Sequence, residues 1–257
     1  MTLFEASADA APARYKLVVA YDGTDFHGYA AQKDVRTVEG VLADALGRVL
    51  GDGPANLTCA GRTDAGVHAW GQVVTFDAAA DVDLDRVHRA VNKMLGPEVV
   101  VRSAERTGPD FDARRSALWR LYTYAVVNRP VPDPFLARHA WWVPDPIDVA
   151  ALRLGADPFV GEHDFAAFCR KGPEGSTTVR RVLSSRWVGA ENGVLRYEIA
   201  ATAFCWQMVR SIVGTLVEVG TGKRRPGELM AVLRARDRAA AGPPAPPHGL
   251  CLWEVGY

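Results

Sequence analysis

In the first half of the chain, segments whose hydrophobic residues repeat with the period of a β-strand alternate with segments whose hydrophobic residues repeat with the period of an α-helix. Polar and apolar residues alternate over residues 14–21, a stretch rich in leucine and valine, which predicts a β-strand. Thr37 stands at the cap position of a helix that continues to about Leu50, since apolar residues recur on one face: Val38, Val41, Leu42, Ala45, Leu46 and Val49. The other predicted elements are strands at Leu57, over 72–76 and over 99–101, and a helix over 84–95 that Gly96-Pro97 ends.

The second half roughly repeats this order. A strand over residues 118–127 is followed by a proline-rich connection, 129–146. Asn192-Gly193 between two runs typical of strands is the strongest hairpin signal in the chain. The remaining predicted elements are a helix near 149–156, hairpin strands over 182–188 and 194–201, helices over about 205–220 and 226–236, and a strand near 250–255.

Each half therefore has the order β-α-β-β-α-β, which is ferredoxin-like. We expect an α+β fold in which two such lobes form one continuous, mostly antiparallel sheet with helices on one side and a central cleft. No clear linker separates the halves. We expect residues 1–13 to be a disordered N-terminal extension, residues 14–110 to form the N-terminal lobe, and residues 111–257 to form the C-terminal lobe.

The composition is that of a soluble globular protein, with 48% hydrophobic and 23% charged residues in 257. No apolar run approaches the roughly 18 residues that span a bilayer, so we expect no membrane partner. The N-terminal segment lacks the basic start and apolar core of a secretory signal. Four cysteines lie far apart in the sequence and predict thiols in a reducing compartment rather than disulfides or zinc ligands. Together these features indicate a cytoplasmic protein.

Charge is distributed unevenly although the formal net charge is zero. Residues 1–110 hold 11 Lys and Arg against 16 Asp and Glu, whereas residues 111–257 hold 19 against 14. Most of the excess positive charge is in short runs: Arg114-Arg115, Arg170-Lys171, Arg180-Arg181 and Lys223-Arg224-Arg225. Such runs are often only solvated faces, but their concentration in one half fits a basic cleft for a nucleic acid.

Residues 59–72, CAGRTDAGVHAWGQ, combine an acid, an arginine, a histidine and three glycines in one segment between predicted strands. Gly61 and Gly66 bracket Arg62-Thr63-Asp64, and glycine is used where the backbone turns sharply or approaches another group closely. The segment predicts a functional loop that carries Asp64 on a rigid scaffold. The alternative is a tight turn in which Asp64 caps its own backbone.

This loop resembles the signature of the TruA family of tRNA pseudouridine synthases, GRTDxGVHA followed by Q, without a gap. One segment departs from the family: Gly28-Tyr29-Ala30-Ala31-Gln32 stands where relatives usually carry GWQxQ. Further blocks resemble the family in its order along the chain: Tyr21-Asp22-Gly23-Thr24, Phe111-Asp112-Ala113-Arg114, Arg120-Leu121-Tyr122-Thr123-Tyr124, Met208-Val209-Arg210 and residues 249–257.

The resemblance implies an isomerase that converts uridines at tRNA positions 38, 39 and 40, in the anticodon stem-loop, to pseudouridine. It also implies that the enzyme acts on tRNA as a homodimer, in which one subunit presents the loop to the active site of the other. The reaction oxidises nothing and carries no group away. We therefore expect no cofactor and no metal.

For the catalytic residues, the resemblance implies that Asp64 is the carboxylate that acts at the ribose. Whether it attacks the anomeric carbon or first removes a ribose proton stays open. Arg210 lies off the apolar stripe of its predicted helix, and the matching arginine of the family pairs with the aspartate, so Arg210 is expected to hold Asp64 ionised. The alternative for Arg210 is an ordinary arginine at the edge of an amphipathic helix.

The resemblance also implies that Tyr122 stacks on the flipped uracil, and a relay of the proton lost from C5 is a second role. Packing is the alternative role for Tyr122. Tyr124 points to the same face, so one of the two tyrosines is expected only to pack, and the resemblance favours Tyr122 for stacking. Arg62 would displace the target base or occupy its place, and Arg114 would contact the substrate. For His68 a hydrogen-bonded loop histidine comes first and RNA contact second.

Two other functions make different demands on the sequence. A non-catalytic RNA-binding protein on the same fold would be expected to have lost Asp64, Tyr122 or Arg210, and this chain has all three. An unrelated hydrolase that used Asp64 and His68 as a pair would need a further acid or a histidine cluster, which the sequence does not suggest.

Overall fold

The computed structural model describes residues 12–257 apart from 52, 171, 173, 174 and 190. The predicted extension over residues 1–13 lies outside the described residues as far as residue 11, and Ala13 already belongs to the first strand. The elements of the first half are β1 (Ala13–Tyr21), α1 (Val38–Leu50), β2 (Ala55–Cys59), β3 (His68–Ala78), α2 (Leu84–Leu95) and β4 (Val99–Thr107).

The second half contributes six strands and three α-helices among the described residues. Their bounds are β5 (Trp119–Val127), β6 (Trp141–Trp142), α3 (Val149–Ala156), β7 (Gly161–Asp164), β8 (Val179–Val188), β9 (Val194–Ala201), α4 (Met208–Gly220), α5 (Leu229–Ala235) and β10 (Leu250–Gly256).

The ten strands of the described residues belong to one sheet, in the order β4-β1-β3-β10-β5-β9-β8-β7, with β2 beside β3 and β6 beside β5. The first half therefore has the order β4-β1-β3-β2, and the second half repeats it as β10-β5-β9-β8. Most pairs are antiparallel. The halves meet where β3 and β10 run parallel, with Cys251 opposite His68 and Leu252 opposite Ala69. The predicted α+β class with a continuous, mostly antiparallel sheet is confirmed, while the boundary at residue 110 stays a prediction.

One buried cluster includes strand and helix residues from both halves. Along β1 the burial alternates, since Tyr15, Leu17 and Val19 are buried while Lys16 and Val18 are only partly covered. This is the burial pattern of a sheet that packs on one face against helices. No helix in the described part of the chain is both long enough and apolar enough to cross a bilayer.

Local chemistry explains why most element boundaries could be predicted. The Thr37 hydroxyl accepts a hydrogen bond from the Gly40 N–H, which caps α1. In the hairpin between β8 and β9, Asn192 and Gly193 have φ angles of 53° and 69°, the left-handed geometry of a tight turn.

Two predicted helices differ from the structure at their ends. The helix α4 begins at Met208, three residues after the predicted start, because Gln207 before it has a left-handed φ of 60°. The last predicted helix is split into a short 3-10 turn, Pro226–Glu228, and α5, which ends before the left-handed Arg236. The strands β6 and β7 were not predicted, since each is too short to show a period.

Candidate active site

The Asp64 loop joins β2 to β3. The segment between β1 and α1 packs against it and holds its backbone in place. A Cβ on Gly28, whose φ is +96°, would lie 2.9 Å from the Thr63 carbonyl oxygen, so only glycine allows this close approach. The Tyr29 N–H donates to the same carbonyl at 3.0 Å. The Tyr21 hydroxyl lies 2.8 Å from the Thr63 hydroxyl. The loop is thus held by its backbone, while the Asp64 side chain stays 34% exposed.

The Asp64 carboxylate has a different partner at each oxygen. Arg210 Nη1 lies 3.6 Å from Oδ2, an ion pair that is longer than a hydrogen bond. Trp206 donates its indole N–H to Oδ1 at 3.0 Å. The guanidinium of Arg210 is anchored elsewhere, since its Nε donates to the Ala245 carbonyl at 2.7 Å. Arg210 therefore approaches Asp64 with one nitrogen and not with the two-pronged fork that arginine often presents to a carboxylate.

Tyr122 lies on β5, and its ring packs edge-on against Phe204 with ring centroids 5.0 Å apart. Its hydroxyl oxygen lies 3.6 Å from where a Cβ on Gly61 would stand, so it reaches the start of the Asp64 loop. Burial raises the pKa of the Tyr122 phenol far above its ordinary value, and the charge of Asp64 acts in the same direction. The phenol is therefore protonated. Tyr124 is fully buried, and its hydroxyl donates to the Pro246 carbonyl at 2.8 Å, which is a packing role.

Arg62 and Arg114 are both exposed, and their guanidinium groups have no hydrogen bond or ion pair among the residues that the structure describes. Both lie near Cys59. Burial raises the pKa of the Cys59 thiol to about 12, and the two guanidinium groups act in the opposite direction. Two unpaired cations thus lie near Cys59, where the Asp64 loop begins.

Arg120 is a structural contributor that was not predicted as a site residue. Its guanidinium donates to three carbonyl oxygens at 2.9 Å each, from Ala60, Arg114 and Thr202. It therefore ties the beginning of the Asp64 loop to the Arg114 segment and to the end of β9. The signal in the sequence was its place at the start of the Arg120-Leu121-Tyr122-Thr123-Tyr124 block, which resembles the family.

His68 is buried and is held by hydrogen bonds on both ring nitrogens. Nδ1 accepts from the Gly23 N–H at 3.0 Å, and Nε2 lies 3.0 Å from the carbonyl oxygens of Arg138 and His248. Burial lowers the pKa of His68, so the ring is neutral near pH 7. This geometry is that of a hydrogen-bonded structural histidine, which lies at the first position of β3 and not in the loop.

The structure also brings Asp22 and His139 to His68, a cluster that no spacing in the sequence predicts. The possible ligand atoms of the three residues lie within 4.8 Å of one another. Thr24 donates its N–H and its hydroxyl to Asp22 Oδ1, and these bonds lower the pKa of Asp22 although burial opposes them. Because the nitrogens of His68 and this oxygen of Asp22 already have partners, the cluster has the character of a structural network.

The second unpredicted contributor is Trp206, which precedes α4. Its side chain is 46% exposed, and the guanidinium carbon of Arg170 lies 4.3 Å from the centroid of its ring. The left-handed Gln207 follows it, a conformation that costs a non-glycine residue roughly 1–2 kcal/mol. Backbone strain of this kind is frequent at functional sites. The signal in the sequence was a large apolar side chain beside the Met208-Val209-Arg210 block.

The site thus consists of a carboxylate that is paired with a cation in a loop bracketed by glycines, on a sheet built from two repeated halves. Comparison with known sequences shows which class of protein has this arrangement. The chain belongs to the family described as tRNA pseudouridine synthase, whose model matches residues 17–114 and 156–257. Asp64 and Arg210 both lie in the matched segments, whereas Tyr122 lies between them.

Individual relatives are similar over nearly the whole chain. A tRNA pseudouridine synthase A from Leifsonia xyli is 44% identical over 95% of this chain and 91% of its own length. Proteins of the same name from Brevibacillus brevis and Pseudothermotoga lettingae are 44% and 38% identical, and each alignment covers 95% of this chain and 99% of the relative.

Proposed function

We propose that this protein is the isomerase that converts uridine to pseudouridine in tRNA, and that it acts at positions 38, 39 and 40 of the anticodon stem-loop. The observation that carries the proposal is the Asp64 carboxylate, one-third exposed and held between Arg210 and Trp206. It lies in the loop that carries the family signature.

The reaction breaks the bond between the uracil N1 and the ribose C1′, turns the ring and joins C1′ to C5. C5 then loses its proton, and N1 gains one. We propose that Asp64 is the catalytic carboxylate for this sequence. Attack on the anomeric carbon and removal of a ribose proton both require the carboxylate to be ionised and close to the ribose.

Arg210 is proposed to keep that carboxylate ionised and oriented. Its side chain is only 13% exposed, so its charge acts on Asp64 with little screening by water. The bond from Nε to the Ala245 carbonyl supports this role, because it fixes the guanidinium whether or not substrate is present.

Tyr122 is proposed to stack on the extruded uracil and to take part in the proton transfer from C5. Its position beside Gly61 and its closeness to the charge of Asp64 support a place at the reacting base. A neutral phenol can hydrogen-bond to the ring, and it relays the C5 proton when its own proton passes to another acceptor in the same step.

Arg62 and Arg114 are proposed to bind the RNA, Arg62 at the position that the target base leaves. Their exposure and their lack of an acidic partner among the described residues support phosphate or base contacts. For His68, its burial favours the hydrogen-bonding role over direct contact with RNA.

A homodimer in the cytoplasm is part of the same proposal. Phe135 and Val131, on the proline-rich connection after β5, are 90% and 70% exposed, which fits an interface with a second copy. Mixing an Asp64→Asn chain with a chain in which the basic runs are neutralised should restore part of the activity, because one site would keep both parts. Sedimentation of a fully active monomer would contradict the dimer and leave the catalytic roles untouched.

The direct test is incubation with unmodified tRNA transcripts, chemical labelling of pseudouridine and mapping of the labelled positions. We expect label at positions 38–40 with the wild-type protein and none with Asp64→Asn. Binding of tRNA without label would favour the non-catalytic RNA-binding protein, and label elsewhere in the tRNA would contradict the anticodon stem-loop.

A further inference from the structure

The indole of Trp206 is the second partner of the Asp64 carboxylate. It donates to Oδ1 at 3.0 Å, while Arg210 approaches Oδ2 at 3.6 Å. A carboxylate held at one oxygen can still turn about the bond to its Cβ. With a different donor at each oxygen, the plane of the carboxylate is defined.

The indole is itself held in place, although nearly half of it is exposed. The Met208 N–H donates to the Cys205 carbonyl at 3.1 Å and closes a turn around Trp206 and the left-handed Gln207. Arg170 covers the ring at 4.3 Å, and its N–H donates to the Trp206 carbonyl at 3.0 Å. The indole N–H is thus presented to Asp64 from a constrained backbone.

We propose that Trp206 is a positioning residue for the isomerisation, an inference that rests on the proposed function. Its N–H orients the Asp64 carboxylate toward the ribose and stabilises its negative charge. Hydrogen bonds to an ionised acceptor are stronger than those between neutral groups. Because the indole N–H contacts Asp64 and not the RNA, the role concerns the reaction step and leaves the affinity for tRNA unchanged.

Two other roles for an exposed indole at this place make different predictions. A ring that stacks on a nucleobase of the tRNA would contribute to binding through its π face, and phenylalanine would largely replace it. A ring that only covers the site would tolerate phenylalanine in both binding and reaction. The N–H is the feature that separates these roles from positioning.

The decisive variant in the full-length protein is Trp206→Phe, which keeps a ring and removes the donor. With enzyme in excess over tRNA transcript, we expect the single-turnover rate to fall about 10- to 100-fold, the size expected for a lost hydrogen bond to a charged group. The Kd for tRNA should stay within about twofold. Trp206→His carries a ring N–H and should restore part of the rate.

Trp70→Phe is the matched control. Trp70 is also 46% exposed, and Arg102 lies over its ring at 4.1 Å. Its ring stacks on Trp253, and among the described residues its indole N–H donates to no carboxylate. A Trp206→Phe protein with the wild-type rate, or with a defect only in tRNA binding, would overturn the proposal.

A second measurement does not depend on activity. In protein labelled with ¹³C at the aspartate carboxyl carbons, the signal that Asp64→Asn removes should shift in Trp206→Phe and stay in place in Trp70→Phe. An unchanged Asp64 signal would overturn the contact itself. Failure of the wild-type protein to form pseudouridine would instead contradict the proposed function, so the two failures can be told apart.

Discussion

Arg210 and Ala245 hold each other through two hydrogen bonds: Arg210 Nε donates to the Ala245 carbonyl at 2.7 Å, and the Ala245 N–H donates to the Arg210 carbonyl at 2.9 Å. The guanidinium is thereby oriented by the backbone of the segment before β10. Its contact with Asp64 is a consequence of that anchoring, so the cation is in place before any substrate arrives.

Asp64→Asn should abolish pseudouridine formation, with a loss of about 10³-fold or more, as is usual when a principal catalytic group is removed. The amide keeps the size of the side chain and loses the negative charge. Because Asp64 is one-third exposed and its loop is held by backbone contacts, thermal unfolding and the Kd for tRNA should stay close to wild type. Substantial turnover by this variant would remove Asp64 from the catalytic role.

Arg210→Lys should retain part of the rate, and Arg210→Ala should retain less. A lysine can supply the single positive contact to Asp64, but it does not reproduce the planar group that also reaches the Ala245 carbonyl. The loss of that bond should lower the free energy of unfolding by about 1–3 kcal/mol in both variants. Single-turnover rates and urea unfolding test this, and a normal rate for Arg210→Ala would contradict the pairing.

Tyr122→Phe should lower the single-turnover rate while the Kd for tRNA changes little, because the ring still stacks and only the hydroxyl is lost. Tyr124→Phe is the comparison on the same strand. It should cost about 0.5–1.5 kcal/mol of stability through the lost bond to the Pro246 carbonyl, with the rate unchanged. A fully active Tyr122→Phe would restrict Tyr122 to stacking.

Stability should decrease when the pH falls below about 6.5, the ordinary pKa of histidine. Burial lowers the pKa of His68 and of His248 in the folded protein, so the unfolded chain binds more protons in this window. Each histidine contributes a slope of at most about 1.4 kcal/mol per pH unit, and its contribution is fully lost below the folded pKa. His68→Gln should flatten the dependence, which urea unfolding between pH 5 and 8 would measure.

Affinity for tRNA should depend strongly on salt even though the net charge of the chain is zero. Arg62→Ala or Arg114→Ala should each reduce the slope of log K against log salt by about one unit for each phosphate that the arginine neutralises in the wild-type complex. Arg186→Ala is the control, because Arg186 is exposed but already paired with Glu198 at 2.8 Å. An equal effect of all three variants would argue against specific binding of phosphates by Arg62 and Arg114.

Local patterns in the sequence determined most of the secondary structure. The Thr37 cap, the Gly96-Pro97 stop and the Asn192-Gly193 turn act within a few residues of their own backbone, so their effect can be read without the rest of the molecule. The repeated order of elements also predicted the two halves of the sheet. The family signature predicts Asp64 as the central residue, because its motif is contiguous.

Only the tertiary structure decided what surrounds that residue. The hydrogen bond from Trp206 joins residues 142 positions apart, and the parallel pairing of β3 with β10 places the two halves beside each other. The same holds for the Asp22–His68–His139 cluster, in which the first residue of β3 meets residues from two separate loops. Such contacts join residues that are far apart in the sequence and do not follow from local conformational preference. The sequence therefore predicts the carboxylate, whereas only the structure shows which groups contact it.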